Sequence, residues 1–202
     1  MSSPILHRYF QPVTDIQSYL NIIYLLLAFP LGLAYFVFFV VGFSLGIGLL
    51  IIWVGVFILA IVATLSWAFA HFERQLATAL LQINLPATQK PKSTSPRMWE
   101  RIRAYLINPG TWKGLAFLFL KFPLGLFSFV TSVVTLAVSL GLIIAPFTYE
   151  NDVIDWGSIQ IDSMEKALFA CFVGVLLFPL VLHLLNFITE VYGLIARALL
   201  SE

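Results

Sequence analysis

The long apolar runs of this sequence contain very few ionisable side chains, and these are the first candidates for chemistry. Lys121 and Glu190 each lie in a run that is otherwise nearly free of charge. A charged group at membrane depth is costly, and it marks a proton relay or a ligand site in many membrane proteins. Two interpretations stay open. One is structural, with Lys121 extending to the inner surface or pairing with Glu190; the other is a proton or ligand site.

The residue types needed for metal or enzyme chemistry do not occur in the required patterns. His71 and His183 are lone histidines with no second ligand at helical spacing, whereas zinc takes three or four protein ligands. The sequence also lacks a glycine-rich phosphate loop and a nucleophile elbow, which are typical of nucleotide-binding proteins and hydrolases. We therefore predict a protein that is not an enzyme and that uses no metal and no cofactor.

A polar segment at 146–166 carries half of the acidic residues of the chain. Its stretch 153–161 combines β-branched residues with Trp156 and a central glycine, which predicts a short extended excursion. Asp162 is the predicted N-cap of the following helix, with Glu165 reaching back to it. The spacing does not fit an EF-hand. Three interpretations remain: a solvated loop that sets topology, a calcium site, and a ligand- or partner-sensing surface around Asp155, Trp156 and Asp162. The acidic residues are Glu150, Asp152, Asp155, Asp162 and Glu165.

The segment between the second and third apolar runs is basic. Residues 86–96 are rich in Pro, Ser, Thr and Lys and are predicted to form a cytoplasmic linker. The following residues become amphipathic, with Arg97, Arg101 and Arg103 set against Trp99 and other apolar side chains. Such a helix lies in the headgroup plane and favours anionic lipid. We therefore predict contact with anionic inner-leaflet lipid, and no nucleic-acid binding.

These candidate residues have to be positioned by membrane helices. The sequence is 60% hydrophobic and 10% charged, and residues 16–72 contain no Asp, Glu, Lys or Arg. One helix of that length would measure about 85 Å, nearly three times the hydrocarbon core of a bilayer, so the run must fold back. We predict an all-α integral membrane protein with four transmembrane helices and interfacial amphipathic helices. The predicted spans are about Tyr19–Val41, Leu49–Phe72, Trp112–Ile144 and Ala167–Thr189.

An internal repeat relates the two helical hairpins. Phe-Pro-Leu-Gly-Leu occurs at 29–33 and at 122–126, and half of the 28 aligned positions around it are identical. A proline inside a helix kinks it, and a glycine lets a neighbouring helix approach. Pro30 with Gly32, and Pro123 with Gly125, are therefore either packing devices or a paired hinge. The predicted domains are a first hairpin at 1–85, the linker at 86–96, and an interfacial helix with the second hairpin at 97–202.

The distribution of charge predicts the orientation of the hairpins. Basic residues concentrate between 74 and 113, and acidic residues between 150 and 165. By the positive-inside rule the basic segment is cytoplasmic. Both termini are then cytoplasmic as well, and the acidic loop faces outside. Each hairpin starts and ends in the cytoplasm, so the repeats are predicted to be parallel. An N-terminal signal peptide is not expected, since the first apolar run is too long.

Several motifs together resemble those of the bacterial putative sensor domain family. They are the paired pentapeptides, the glycine-rich turn at 46–50, Phe72-Glu73-Arg74 after the second span, and Leu140-Gly141-Leu142 followed by Pro146 and Tyr149. The resemblance covers about residues 19–200. It implies a four-helix input domain in the bacterial cytoplasmic membrane, either standing alone or followed by a histidine kinase module.

The sequence ends at Glu202 without a phosphoacceptor helix or a nucleotide-binding domain. Together with the resemblance, this predicts a stand-alone, sensor-like membrane module that relays a signal or a membrane state to a separate membrane or cytoplasmic protein. An oligomer is also open. Two alternatives remain: a structural or assembly subunit of a larger membrane complex, and a small carrier or lipid-binding protein with a groove near Lys121 and Glu190.

Overall fold

The computed structural model describes residues 4–82, 109–148, 154–155, 160–161 and 163–200. Within these ranges the chain forms five α-helices, one 3-10 turn and two short strands. The helices are α1 (Pro4–Thr14), α2 (Ile16–Gly48), α3 (Val54–Leu81), α4 (Pro109–Thr148) and α5 (Met164–Leu200). The 3-10 turn is Leu50–Ile52, and the strands are β1 (Ile154–Asp155) and β2 (Gln160–Ile161).

The helices α2 to α5 have the length and composition of membrane spans. Each contains a charge-poor window with a mean hydropathy of at least 2.0. Backbone polar groups in lipid must be satisfied within the spanning structure, so an apolar run of this kind forms a helix. The 33 residues of α2 are about 50 Å long at the helical rise, more than the roughly 30 Å of a hydrocarbon core. The prediction of an all-α membrane protein with four candidate spans is confirmed.

The helix α3 differs from the sequence-based prediction in the burial of its end. The pattern predicts a span of about Leu49–Phe72 that continues from Glu73 as an interfacial helix. α3 is continuous from Val54 to Leu81, but both Glu73 and Arg74 are buried. The pattern misleads here because the Glu73 carboxylate has partners inside the protein, which replace the water it loses.

Both hairpins close with the same glycine contact. A Cβ added at Gly55 would collide with the Gly46 carbonyl oxygen, and one added at Gly174 would lie 2.9 Å from the backbone nitrogen of Ile143. Gly55 and Gly174 are 119 residues apart, which is the offset that relates the ends of the two repeats. The second helix of each hairpin therefore packs closely on the first through a position where only glycine fits.

By its contacts the chain divides into two compact units. The first comprises Met1–Ile22 and Val130–Ile188, and the second comprises Ile23–Phe129 and Thr189–Glu202. In the second unit the apolar core is built mainly from aromatic and aliphatic side chains of α2, α3 and α4. Its buried members are Tyr35, Phe39, Val62, Phe117, Leu118 and Ala196.

The first unit is tied together by amide side chains. Asn21 Nδ2 donates to Asn186 Oδ1 at 3.0 Å, and Asn186 Nδ2 donates to the Ser18 hydroxyl at 2.9 Å. In the same unit the Tyr9 hydroxyl of α1 donates to the Leu176 carbonyl of α5. Side-chain hydrogen bonds between helices are a common means of association where both are surrounded by lipid.

The predicted extended excursion after the third span is confirmed. β1 and β2 pair antiparallel, with Ile154 opposite Ile161 and Asp155 opposite Gln160. The next helix begins at Met164, and the Ala167 nitrogen donates to the Ser163 carbonyl at 3.0 Å. The N-cap position therefore belongs to Ser163, one residue after the predicted cap.

Candidate functional site: a buried polar cluster

The two pentapeptides contact each other inside the second unit. A Cβ added at Gly32 would lie 2.7 Å from the Lys121 carbonyl oxygen, and one added at Gly125 would lie 2.6 Å from the Ala28 carbonyl oxygen. Ala28 and Lys121 occupy the same position of the repeat, 93 residues apart, as do Gly32 and Gly125. The two contacts are thus equivalent, and a local two-fold axis relates them.

The phenylalanine side chains at the crossing are related by the same local two-fold axis. The Phe36 and Phe122 ring centroids are 4.7 Å apart, and the equivalent pair, Phe29 and Phe129, is 5.2 Å apart. Phe29 and Phe122 also face each other, at 6.5 Å. Aromatic pairs at these distances add packing energy beyond the area that they bury. The repeated sequence therefore encodes a symmetric helix crossing.

The polarity of this crossing differs from the predicted parallel repeats. Phe39, late in α2, contacts Phe119, whereas Phe29, earlier in α2, contacts Phe129. Residue numbers rise along one helix as they fall along the other, so α2 and α4 cross with opposite directions in this unit. The predicted direction came from loop charges, which do not enter the contact. Glycine and phenylalanine packing is compatible with either polarity.

A charged pair lies beside the crossing. Lys121 Nζ donates to Glu73 Oε2, and the Tyr35 hydroxyl donates to Glu73 Oε1 at 2.9 Å. Both charged side chains have no exposed surface. α2, α3 and α4 each supply one of the three side chains. Both carboxylate oxygens are satisfied, and this is the condition under which a buried ion pair is tolerated.

Two further tyrosines extend the pair into a cluster. Lys121 Nζ lies 5.0 Å from the centre of the Tyr24 ring, a cation–π distance. Tyr24 and Tyr192 pack edge to face at 5.8 Å, and the Tyr192 hydroxyl shares a hydrogen bond of 3.2 Å with Ser128. The buried polar cluster therefore consists of Tyr24, Tyr35, Glu73, Lys121, Ser128 and Tyr192, all of which are buried.

The cluster is symmetric in position but not in charge. Tyr35 and Ser128 are equivalent at an offset of 93, and Glu73 and Tyr192 are equivalent at an offset of 119. The hydrogen bond from Tyr35 to Glu73 thus has its counterpart in the bond between Ser128 and Tyr192. Lys121 is the exception, because its own counterpart is Ala28. One half of the cluster is charged, and the other half is neutral.

The structure corrects the predicted role of Glu190. The carboxylate that meets Lys121 belongs to Glu73, while Glu190 is exposed on α5. Lys121 does not extend to a surface either, since it is 1% exposed. Sequence reasoning missed Glu73 as a site residue. A signal was available in the repeat: Lys121 and Glu73 are among the positions at which the copies differ by a charge, and they carry opposite charges.

The predicted hinge residues separate into two kinds. Gly32 and Gly125 form the crossing, whereas Pro30 and Pro123 are on exposed faces of their helices. Both helices continue through the pentapeptide without interruption. The paired-hinge interpretation stays a prediction, and the packing role of the two glycines is what the contacts show.

Other predicted site residues fall away from the cluster or outside the described residues. Asp155 is described only through its backbone in β1. Trp156 and Asp162 lie outside the described residues, as do Arg97, Trp99, Arg101 and Arg103. Across the described ranges, no group of three or more His, Cys, Asp and Glu side chains is arranged to hold a metal ion.

The charges of Lys121 and Glu73 neutralise each other, and the glycine contacts bring the backbones of α2 and α4 close together next to this pair. The cluster joins the second helix of one repeat to the first helix of the other. A change in the packing of the repeats would therefore make or break a charged contact in an apolar environment, where that contact is strong.

Comparison with protein families matches residues 24–200 to a family described as "Putative sensor". No curated protein and no solved structure matches the chain.

Proposed function

The chain belongs to the family described as "Putative sensor", and from this premise we propose that it is a non-enzymatic membrane sensor-like module. It responds to a ligand, a partner or the state of the membrane by shifting the packing of its two repeats. The shift is then relayed to a membrane or cytoplasmic protein through the helix ends.

The observation that carries this proposal is the buried contact between Lys121 and Glu73. A buried ion pair adds little stability over apolar residues of the same size, whereas breaking it is costly. An apolar pair could hold the repeats together equally well. A charged pair gives instead two discrete arrangements, formed and broken. A relay needs a two-state element of this kind whose states differ by about a few kcal/mol.

The location and the orientation belong to the same proposal. We place the protein in the bacterial cytoplasmic membrane with both termini and the basic segment on the cytoplasmic side, next to anionic lipid. Cysteines introduced one at a time at Thr14 and at Ser163, in a Cys171→Ser background, report the side of the N-terminal segment and the side of the second turn. With both termini cytoplasmic and parallel repeats, the two positions are labelled from opposite sides of the membrane. Labelling of both positions from the same side would instead extend the antiparallel crossing of α2 and α4 to the whole membrane topology.

A chimera tests the sensor role directly. Residues 1–202 replace the input domain of a family member that carries a histidine kinase module, and autophosphorylation is measured in native membranes. We expect Lys121→Met to shift the basal kinase activity at least several-fold, because it removes one partner of the charged contact. The double substitution Lys121→Met with Glu73→Leu replaces the ion pair by an apolar contact. It should return the kinase activity part of the way to that of the unsubstituted chimera.

Matched controls separate signalling from folding. Glu190→Gln removes an exposed carboxylate of α5 and should leave kinase activity unchanged. The amount of each variant in the membrane fraction and its thermal unfolding in detergent are measured. Equal kinase activity in all folded variants would contradict the proposed relay through the cluster.

One observation favours the alternative of a structural subunit. The glycine contacts at Gly32 and Gly125 are very close, which suits a rigid packing unit. Co-purification from mild detergent at fixed stoichiometry with a larger complex, together with unaltered signalling in the chimera, would favour that role. The carrier alternative requires a cavity near Lys121, and the burial of this residue gives it no support.

A further inference from the structure

The turn of the first hairpin carries only apolar side chains. Residues 49–57 read Leu-Leu-Ile-Ile-Trp-Val-Gly-Val-Phe. Ile51 is 90% exposed and Trp53 is 77% exposed. Turns that face water are built mainly from Gly, Pro, Asn, Asp and Ser. A contiguous apolar surface of this kind is a contact surface for a membrane or another protein.

Several backbone groups of this turn are hydrogen-bonded within the chain. The nitrogens of Ile52 and Gly55 donate to the Leu49 carbonyl at 3.2 and 3.0 Å, and the Trp53 nitrogen donates to the Leu50 carbonyl at 3.1 Å. To close the turn, Trp53 adopts a left-handed backbone with φ 63°, an uncommon conformation for a bulky residue. In water the backbone groups of a turn can bond to solvent. In hydrocarbon they must be satisfied internally.

The helix surfaces next to the turn are also apolar. The turn joins two candidate spans, α2 and α3, and residues 16–72 contain no Asp, Glu, Lys or Arg. Exposed apolar side chains such as Ile47 and Phe57 extend along both helices next to the turn. The bilayer that surrounds the two spans is therefore continuous with the surface of the turn, so that hydrocarbon is the partner the pattern fits.

We propose that residues 49–57 form a lipid-embedded turn, held within the hydrocarbon layer and covered by acyl chains. The first hairpin then ends inside the membrane and presents no loop to water on that side. This inference is independent of the proposed sensor role, because it concerns how the hairpin is seated and not what it relays.

Site-specific labelling in liposomes tests the inference. Trp53→Cys and Ile51→Cys are prepared separately in the Cys171→Ser background, with Ser163→Cys as the control beside the second turn. The purified proteins are reconstituted without other proteins and exposed to a membrane-impermeant maleimide on both faces. We expect Ser163→Cys to react, and the two first-turn cysteines to react only after solubilisation in SDS. Ile51→Cys keeps the test valid if replacing Trp53 disturbs the turn.

A second measurement identifies what covers the turn. A fluorophore attached at position 51 before reconstitution should be quenched severalfold more by lipids brominated on their acyl chains than one attached at position 163. Rapid labelling of both first-turn cysteines in intact liposomes would overturn the proposal. So would protection without quenching, accompanied by disulfide cross-links between position-51 cysteines, because a second copy of the chain would then cover the turn.

Discussion

The two halves of the pentapeptide crossing share a scaffold and differ in chemistry. On one side Lys121, Glu73 and Tyr35 form a charged contact, and on the other Ala28, Tyr192 and Ser128 occupy the equivalent positions without charge. The glycine contacts and phenylalanine pairs are the same on both sides. The two repeats therefore share the packing of the crossing and differ in the polar side chains next to it. Only one half of the cluster contains a pair of complementary charges.

The largest effect should come from removing one charge of the pair. Lys121→Met leaves the Glu73 carboxylate buried without its ammonium partner, and the expected loss is about 3–5 kcal/mol in the free energy of unfolding. The matched change at the neutral side, Ala28→Met, disturbs packing only and should cost about 1–3 kcal/mol. Equilibrium unfolding in mild detergent measures both. Equal losses at the two positions would mean that the charge contributes nothing beyond volume.

We expect a smaller difference in stability between the variants Tyr35→Phe and Tyr192→Phe. Tyr35→Phe removes a hydrogen bond to a charged carboxylate, which contributes about 1.5–3 kcal/mol, whereas Tyr192→Phe removes a neutral one that contributes about 0.5–1.5 kcal/mol. Thermal unfolding of both variants in the same detergent gives the comparison. If Tyr192→Phe proved the more damaging, the neutral half of the cluster would be the structural anchor.

The glycine contacts should be equal on the two sides. Gly32→Ala and Gly125→Ala each place a Cβ within 3 Å of a backbone oxygen, and we expect each to cost about 1–3 kcal/mol through displacement of the neighbouring helix. Gly48 and Gly141 are equivalent positions with open space around a Cβ, so they are the controls. Gly141→Ala should be neutral or stabilising by up to about 1 kcal/mol. Unequal losses of unfolding free energy in Gly32→Ala and Gly125→Ala would contradict the local two-fold symmetry of the crossing.

The smallest expected effect is at Glu190. Glu190→Gln changes an exposed side chain, and surface substitutions away from special features usually stay within about 0.5 kcal/mol. Its unfolding curve should overlay that of the unsubstituted protein. A loss comparable to that of Lys121→Met would show that Glu190 joins the charged contact in the membrane, and it would return the pairing to the one first predicted from the sequence.

Much of the fold could be predicted because membrane burial restricts the chain so strongly. A charge-free run such as 16–72 has one solution in lipid, a pair of helices, and the repeat identified the second pair. The candidate site was only partly predictable. Lys121 stood out as a charge in an apolar run, but Glu73 lay next to Arg74 at the end of such a run and looked like an interfacial residue.

The amino-acid sequence by itself determined the helices, their pairing into two hairpins and the close approach at Gly32 and Gly125. These follow from hydropathy and from residue size, which are local properties. Only the tertiary structure decided which carboxylate meets Lys121, and with which polarity α2 and α4 cross. Both depend on how side chains distant in sequence are brought together, since a long lysine can reach a carboxylate on any neighbouring helix and the glycine contact accepts either direction. The repeated pentapeptide specifies where the helices touch, and packing around it selects the partner of the charge.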